Sequence, residues 1–358
     1  MDHRRRIEAV VTALPDHDLD AFLVTDLTNV RYLTGFSGTN GQVLVTSSGA
    51  FLLTDPRYRE RARSLVRDAE IVVYPRRLSE ELATRVAAWG TRNVGYEAAT
   101  MTVAQRDSLA GALEGVNLIG TEGLIENMRR VKDDDELRAI RDACRIVDEA
   151  FAWATGVLAP GITERDLALE LEVNLRRAGA EGIAFPPIVG SGPLSAHIHH
   201  SPSARELDKG DVVLLDFGAR SDGYCSDITR TVVLGPASDD QKERYELVLG
   251  AQLAAIRAVA PGIPGRDVDA AARERIVRAG HGDHFGHGLG HGVGLDVHEA
   301  PSLKDISTDT LAPGEVVTVE PGVYVPGSDG IRIEDCVVVT ATGCEVLTSA
   351  PKDTLLEL

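Results

Sequence analysis

Cysteines are few in this sequence and lie far apart. The 358 residues contain only four, Cys144, Cys225, Cys336 and Cys344, and no two of them have CxxC spacing. A chain of this length buries a large core without covalent cross-links, so we predict no disulfide framework. We therefore expect reduced thiols and a cytoplasmic protein.

Long apolar runs, aromatic residues and positive charge are also scarce. No run of 18 apolar residues occurs, which excludes a transmembrane helix. Glu8 and Asp16 interrupt the apolar stretch that a signal peptide would need near the start, so no signal peptide is predicted. Lys and Arg number 37 against 55 Asp and Glu, which gives a net charge of −18, and only 4% of residues are aromatic. This composition argues against nucleic acid or an anionic membrane as the partner.

Several catalytic motifs are missing. No GxGxxG or GxxxxGK[ST] occurs, so no phosphate-binding loop is predicted, and no GxSxG supports a serine nucleophile. The HExxH pattern fails because Ala, Pro and Ser follow His298-Glu299. A cysteine nucleophile is not required either, and we interpret Cys225 and Cys336 as small core residues.

Two domains are predicted from the order of elements. Residues 1–125 alternate short strands and helices, as in an α/β domain, and the Gly- and Asn-rich stretch Asn29–Gly41 is predicted to be a loop. The long amphipathic helix Asp135–Leu158 follows and ends at Pro160-Gly161. We place the domain boundary near residue 125.

The second domain contains an internal repeat. Residues 159–179 read APGITERDLALELEVNLRRAG, and residues 260–280 read APGIPGRDVDAAARERIVRAG. Each copy is a turn and an amphipathic helix, and a further helix precedes each one. In the second half that helix is Asp239–Val259, where Ser238 and Gln241 are spaced as a capping box. Two αα–ββ halves related by a pseudo-twofold axis are therefore predicted.

The strands of the two halves repeat as well, and both copies carry acids. The run from Gly210 to Asp216 matches the run from Gly314 to Glu320, and the sequence after Asp227 matches the sequence after Glu334. A carboxylate that follows four apolar residues is expected to be buried or half-buried, which costs free energy unless a partner neutralises it. We expect the four acids to converge where the two hairpins meet, and cations to hold them there.

Histidines and glycines lie between the two hairpins. Residues 286–299 read GHGLGHGVGLDVHE and carry His287, His291 and His298. We interpret the glycines as leaving the imidazoles without bulky neighbours, so that a ligand can approach closely. One histidine with four carboxylates suits Mn²⁺, Co²⁺, Fe²⁺ or Zn²⁺ better than Ca²⁺, and two bridged ions would generate hydroxide at neutral pH.

These motifs resemble a known family. LLDFGA, YCSDITRT, GHGLGHGVGLDVHE, TVEPGVY and GIRIEDC occur in the order found in the M24 metallopeptidases of the pita-bread fold, which include methionine aminopeptidase, aminopeptidase P, prolidase and the metal-free creatinase. NVRYLTGFSGTNG and FLLTDPRYRERA resemble the N-terminal domain of prolidases and aminopeptidases P, which methionine aminopeptidase lacks. The resemblance implies an α+β protein with a creatinase-like α/β domain over residues 1–125 and a pita-bread catalytic domain over residues 126–358.

The resemblance also implies five metal ligands: Asp216, Asp227, His291, Glu320 and Glu334. Asp216 would chelate one ion, Asp227 and Glu334 would bridge, and His291 and Glu320 would hold the second ion. Glu320 would also be the general base for the attacking water. The repeat leads to the four acids independently, whereas the choice of His291 among the histidines comes from the family.

Further residues are assigned by the same resemblance. His298 matches the histidine that contacts the scissile carbonyl and stabilises its developing oxyanion, and His287 matches a histidine that lines the Xaa-Pro site. Arg332 matches an arginine near the bridging glutamate, where it would pair with that carboxylate or contact substrate.

One more family histidine aligns with His199, which would be both catalytic and substrate-binding. In this sequence Ile198 replaces the proline that usually precedes it, and His197 and His200 lie close by. The sequence leaves open which of the three faces the site.

The implied activity is metal-dependent hydrolysis of the Xaa-Pro bond at the N-terminus of a peptide. The implied protein is a cytoplasmic homodimer with two divalent ions, Mn²⁺ first among them, acting on small peptides with proline second. Whether it takes dipeptides, as a prolidase does, or longer peptides, as aminopeptidase P does, is left open. A creatinase-like amidinohydrolase and an inactive peptide-binding protein of the same fold are the alternatives, and the intact ligand set argues against both.

Overall fold

The chain folds as two units, Met1–Arg129 and Arg130–Leu358, and a computed structural model describes all 358 residues. The sequence placed this division near residue 125. No helix in the structure combines the length and the apolar character that crossing a membrane requires.

The first unit is a six-stranded sheet with helices on both faces. Its helices are α1 (His3–Ala13), α2 (Leu27–Thr34), α3 (Arg59–Leu65), α4 (Leu78–Trp89), α5 (Val103–Ala112) and α6 (Leu124–Arg130), the last of which ends at the boundary. Its strands are β1 (Ala21–Val24), β2 (Gly41–Thr46), β3 (Gly49–Thr54), β4 (Glu70–Val73), β5 (Asn93–Glu97) and β6 (Asn117–Thr121). The sheet order is β4-β3-β2-β1-β5-β6, with β2 antiparallel to both of its neighbours and the other pairs parallel.

Helix α2 corrects one sequence prediction. The loop predicted over Asn29–Gly41 is wrong for residues 29–34, which are helical. Asp26 caps this helix by accepting hydrogen bonds from the backbone N–H groups of Thr28 and Asn29, and Gly35 ends it with a φ of 74°. The capping aspartate outweighs the low helix propensity of the Asn- and Thr-rich segment.

The second unit contains two copies of a two-helix, two-strand arrangement. Its helices are α7 (Asp134–Val157), α8 (Glu164–Arg177), α9 (Asp239–Ala258) and α10 (Gly265–Arg278). Its strands are β7 (Gly182–Ile183), β8 (Ile188–Ser191), β9 (Val212–Phe217), β10 (Ala219–Ser221), β11 (Tyr224–Cys225), β12 (Ile228–Val233), β13 (Gly290–Gly292), β14 (Glu299–Leu303), β15 (Val316–Val319), β16 (Gly322–Tyr324), β17 (Gly330–Arg332), β18 (Asp335–Val339), β19 (Cys344–Val346) and β20 (Leu356–Glu357).

Each pair of helices covers its own sheet. Helices α7 and α8 pack apolar side chains on the sheet β20-β12-β9-β8, and α9 and α10 do the same on the sheet β14-β13-β15-β18-β19. The predicted capping box of Ser238 and Gln241 is confirmed at the start of α9, and Asp133 with Glu136 forms an equivalent one at α7. The predicted αα–ββ repeat is therefore confirmed.

The hairpins of the two halves meet edge to edge. In the first hairpin β9 pairs with β12 so that Asp216 lies opposite Thr229, and in the second β15 pairs antiparallel with β18. The backbone N–H of Glu334 donates to the carbonyl of Thr229 at 3.1 Å, and Thr231 Oγ1 donates to the carbonyl of Arg332 at 2.9 Å. These bonds bring the acidic ends of both hairpins to one place.

Candidate metal centre

The ends of the two hairpins line one cavity of about 530 Å³. All five ligands that the sequence analysis assigned contribute to its wall: Asp216, Asp227, His291, Glu320 and Glu334. The acids arrive on β9, on the turn before β12, just after β15 and just before β18. Because each acid lies in or directly beside a strand that is buried under helices, the carboxylates are held in place by the core behind them.

The imidazole of His291 directs the lone pair of its Nε2 toward two carboxylates. Its Nδ1 lies 3.0 Å from the carbonyl oxygen of Gly292, so Nδ1 is the protonated nitrogen. Its Nε2 is then an acceptor, yet it lies 3.4 Å from Glu320 Oε1 and 3.7 Å from Asp227 Oδ2. An acceptor that faces two carboxylates is stabilised by a cation placed between them.

Two buried carboxylate oxygens lack any hydrogen bond. They are Asp216 Oδ1 and Asp227 Oδ1. The ligand atoms of Asp227, His291 and Glu334 all lie within 4.8 Å of one another. Unpartnered buried oxygens beside a neutral imidazole are what a divalent ion would satisfy, so the residues present fit the metal that the sequence analysis expects.

Burial and mutual repulsion raise the pKa values of Asp227, Glu320 and Glu334. Burial first, and then the charge of Glu334, raises the pKa of Asp227 well above its usual value. Burial, followed by Glu320 and Asp216, does the same to the pKa of Glu334, and burial raises the pKa of Glu320 to about 8. Without an ion the site therefore holds protons at neutral pH, which a metal would displace.

These shifts predict how pH and metal together change stability. The pKa of Glu320 rises from 4.5 to about 8 on folding, so the metal-free protein has this group's stabilisation below pH 4.5 and loses it as pH rises toward 8. Bound Mn²⁺ reverses the preference, because it binds the ionised carboxylates. We expect the Mn²⁺-induced gain in melting temperature to increase across this window, measured by scanning fluorimetry against a chelated sample. A gain that is flat or shrinks with pH would contradict the clustering of the acids.

A second group of polar side chains lies against the ligands. His287 Nδ1 donates to the carbonyl of Gly288 at 2.7 Å, so its Nε2 accepts from the hydroxyl of Tyr324 at 2.9 Å. That hydroxyl in turn accepts from Arg332 Nη1 at 2.7 Å. Burial, and after it the charge of Arg332, lowers the pKa of His287 to about 3. His287 is therefore a neutral ring in a fixed orientation on the cavity wall.

Arg332 pairs with a different carboxylate from the one expected. The sequence analysis allowed an ion pair with the bridging glutamate, but the guanidinium Nη2 of Arg332 donates to Asp216 Oδ2. Its Nε donates to Thr229 Oγ1 at 3.0 Å, which places Arg332 between the two hairpins. Arg332 reaches Asp216 because its backbone N–H and carbonyl are both hydrogen-bonded to Thr231 Oγ1 on β12, which holds the residue against the first hairpin.

The histidines at the mouth of the cavity differ in their surroundings. His298 is exposed, makes no hydrogen bond within the protein, and lies 4.3 Å from His291 between ring centroids. His199 also lines the cavity and is exposed, whereas His200 is fixed by a 2.8 Å hydrogen bond from its Nε2 to Glu164 Oε2. His197 does not line the cavity. Of the three neighbouring histidines, His199 is the one that faces the site with a free side chain.

Comparison with known proteins identifies the family. The family model described as Metallopeptidase family M24 matches residues 138–341, and the Creatinase/Prolidase N-terminal domain matches residues 6–131. The chain belongs to metallopeptidase family M24. A relative, an uncharacterized peptidase of Bacillus subtilis, is 40% identical over 338 residues, which is 94% of this chain and 96% of that protein.

Two solved structures have the same fold over nearly the whole chain. The Xaa-Pro dipeptidase from Bacillus anthracis matches with a TM-score of 0.96 and 40% identity, covering 99% of both chains. The X-Pro aminopeptidase from Thermotoga maritima matches with a TM-score of 0.92 and 35% identity, covering 98% of this chain and 99% of that one. The pita-bread and creatinase-type domains predicted from the motifs are thus confirmed.

The glycines of the M24 histidine segment have a different role from the one predicted. A Cβ at Gly290 would lie 2.1 Å from the carbonyl oxygen of Thr318, and one at Gly292 would lie 2.2 Å from that of Ala300. The glycines therefore let β13 pass between β14 and β15, and the interpretation that they open space for a ligand is wrong at these two positions. Close strand packing fixes the position of His291.

Three residues that support the M24 ligands were not singled out from the sequence. Thr318 Oγ1 donates to Glu320 Oε1 at 3.1 Å and accepts from the N–H of His291 at 3.1 Å, and Thr229 Oγ1 donates to Glu334 Oε2 at 2.6 Å. Tyr324 joins His287 to Arg332 as described above. Strand-alternation patterns place all three facing inward but do not identify their partners across the repeat.

The thiols of the M24 domain are unsuited to nucleophilic attack. Cys225 and Cys336 are fully buried, and burial raises the pKa of Cys225 to about 11. All four cysteines are unpaired. Because a thiolate is the reactive form, this agrees with the interpretation of Cys225 and Cys336 as core residues.

Proposed function

We propose that this M24 protein uses two divalent ions to hydrolyse the Xaa-Pro bond at the N-terminus of a peptide. One observation carries the proposal: the Nε2 lone pair of His291 points toward Glu320 and Asp227, and buried carboxylate oxygens beside it have no hydrogen bond. Asp216, Asp227, His291, Glu320 and Glu334 are the proposed ligands, and Mn²⁺ is the proposed ion.

Glu320 is the proposed general base. Its Oε1 is occupied by Thr318 Oγ1, whereas Oε2 has no partner within the protein and is the oxygen that would take a proton from water. Ions bound beside it would lower the pKa of that water and place positive charge against the scissile carbonyl oxygen. Glu320 would then pass that proton to the leaving proline nitrogen.

Histidines complete the proposed site. His298 has no hydrogen-bond partner in the protein, so its imidazole is free to donate to the carbonyl oxygen as negative charge develops there. His199 lines the same cavity with an exposed side chain and would contact the substrate backbone. His287, held by Tyr324, would line the position of the proline ring, and Arg332 would act by orienting Asp216 and Tyr324.

The apolar wall of the cavity supports proline as the second residue. It is formed by six side chains: Phe185, Pro186, Pro187, Ile188, Ile198 and Pro202. A pyrrolidine ring has no N–H and needs no donor or acceptor at its nitrogen, so an apolar surface suits it. The relatives titled Xaa-Pro dipeptidase and X-Pro aminopeptidase support the same substrate class. A homodimer and a cytoplasmic location remain predictions from the sequence.

A single assay tests the proposed function. Ala-Pro, Gly-Pro and Ala-Pro-Ala are incubated with protein reconstituted with Mn²⁺, with a chelated sample and Ala-Ala as controls. We expect metal-dependent release of the first residue from the proline-containing compounds and little cleavage of Ala-Ala. Cleavage of dipeptides alone would identify a dipeptidase, and cleavage of the tripeptide would identify an aminopeptidase. No metal-dependent cleavage of any Xaa-Pro compound would overturn the proposal.

A further inference from the structure

Lys304 is an unpaired cation on the wall of the metal-site cavity. Only two basic residues besides histidine line this cavity, and the other, Arg332, is buried and bound to Asp216 and Tyr324. The Lys304 side chain is exposed and makes no hydrogen bond or ion pair with the protein. A lysine on a cavity wall without a protein partner is available to an anionic group of a ligand.

The backbone around Lys304 is held close to the proposed proline position. A Cβ at Gly288 would lie 2.9 Å from Lys304 Cβ and 3.1 Å from the carbonyl oxygen of Leu303. The chain leaving β14 therefore runs directly against the segment that carries His287, which lines the same cavity. This close contact, made possible by glycine, places the base of the lysine side chain against Gly288, the residue that follows His287 in the chain.

The charges of the substrate determine what Lys304 would recognise. In an Xaa-Pro dipeptide the carboxylate belongs to the residue after the scissile bond, so it lies within about 4 Å of that bond. In a longer peptide the same position holds a neutral amide. The four acids of the cavity would be balanced by the two ions, which leaves Lys304 as the free charge on the wall.

We propose that Lys304 binds the carboxylate of an Xaa-Pro dipeptide and so makes this protein prefer dipeptides to longer chains. The assignment rests on the proposed function and adds the substrate length that the sequence left open. A charged hydrogen bond of this kind is expected to raise kcat/KM for the free acid roughly 10- to 100-fold over a neutral analogue.

The test compares Ala-Pro with Ala-Pro amide, which differ only in the charge beside Lys304. Wild-type protein loaded with Mn²⁺ should cleave the free acid with the higher kcat/KM. Lys304→Met should lose roughly 10- to 100-fold on the free acid, mainly through KM, and change little on the amide. Lys304→Arg should keep most of the preference because it keeps the charge.

Two controls separate this assignment from its alternatives. Lys209→Met removes an exposed lysine that does not line the cavity and should leave the acid-to-amide ratio unchanged. Metal content, measured on every variant, distinguishes a lost charge from a lost ion. An unchanged acid-to-amide ratio in Lys304→Met would overturn the assignment while leaving the proposed function standing. Failure of the wild type on every Xaa-Pro compound would overturn the proposed function, and the Lys304 assignment with it.

Discussion

Replacing Asp227 with alanine is expected to abolish both Mn²⁺ binding and peptide hydrolysis. Asp227 is buried, its Oδ1 has no hydrogen bond, and its Oδ2 faces the His291 Nε2 lone pair at 3.7 Å. Removing it takes away the proposed bridging ligand and leaves His291 and Glu334 without the atom that holds an ion between them. We expect kcat/KM to fall on the order of 10³-fold or more, since bound ions supply several kcal/mol of transition-state stabilisation.

The metal-free form of the same variant gives the more specific signature. Burial and the neighbouring Glu334 raise the pKa of Asp227, so its carboxylate is a source of repulsion when no ion is bound. In the presence of chelator, Asp227→Ala should therefore have a melting temperature close to that of wild type, lowered only by the loss of packed side-chain volume. Its melting temperature should not increase when Mn²⁺ is added. Asp353→Ala, which changes an exposed aspartate in the same unit, should respond to Mn²⁺ as wild type does. Full metal content in Asp227→Ala would remove Asp227 from the ligand set.

The acids of the site were predictable because the sequence repeats. Asp216 and Glu320 end equivalent strands, and Asp227 and Glu334 begin equivalent strands, so the duplication marks four positions at once. The structure places all four on one cavity, where the hairpins meet through the backbone of Thr229 and Glu334. A repeat identifies equivalent positions, and burial at strand ends explains why acids there need a partner.

Residues that act across the repeat were not predictable in the same way. Arg332 was associated with the bridging glutamate because it matches a family arginine near that residue, but its guanidinium reaches Asp216 in the other hairpin. Tyr324 carries no local pattern that predicts a hydrogen bond to His287. Such contacts depend on how one half packs on the other, which alternation and spacing within a single strand do not encode.

The packing role of the glycines between the histidines was also not predictable from the sequence. Alternation of glycine and histidine is compatible with an open ligand site and with a strand squeezed between two neighbours. The carbonyl oxygen of Thr318 lies only 2.1 Å from the position that a Cβ of residue 290 would take, which supports the second interpretation, a closely packed strand. The resemblance to known M24 motifs selected His291 as the ligand among the histidines, whereas the packing reason for its neighbouring glycines needed coordinates.

Replacing Arg230 with methionine is expected to cause a large loss of stability in the second unit. Arg230 is 1% exposed and pairs with the fully buried Asp335 at 2.7 Å. Its guanidinium also donates to the carbonyl of Ala350 at 2.8 Å and to that of Glu334 at 2.5 Å. Burial alone would raise the pKa of Asp335, but Arg230 and Lys352 hold it below its usual value. Breaking a buried pair of this kind costs roughly 3–5 kcal/mol in the free energy of unfolding.

The same substitution should weaken the metal site, because Arg230 holds the backbone of the proposed ligand Glu334 from behind. Loss of a group that orients a ligand typically lowers metal affinity about 10- to 100-fold, which calorimetric titration with Mn²⁺ would measure alongside denaturant unfolding. Arg145→Met is the matched control, since Arg145 pairs with Glu149 on the surface of α7 with both side chains 55% exposed. Exposed pairs contribute less than about 1 kcal/mol, so this variant should unfold and bind Mn²⁺ nearly as wild type does. If Arg230→Met matched it in both measurements, Lys352, Gln252 and Thr348 alone would suffice to stabilise Asp335, and Arg230 would have no role in orienting Glu334.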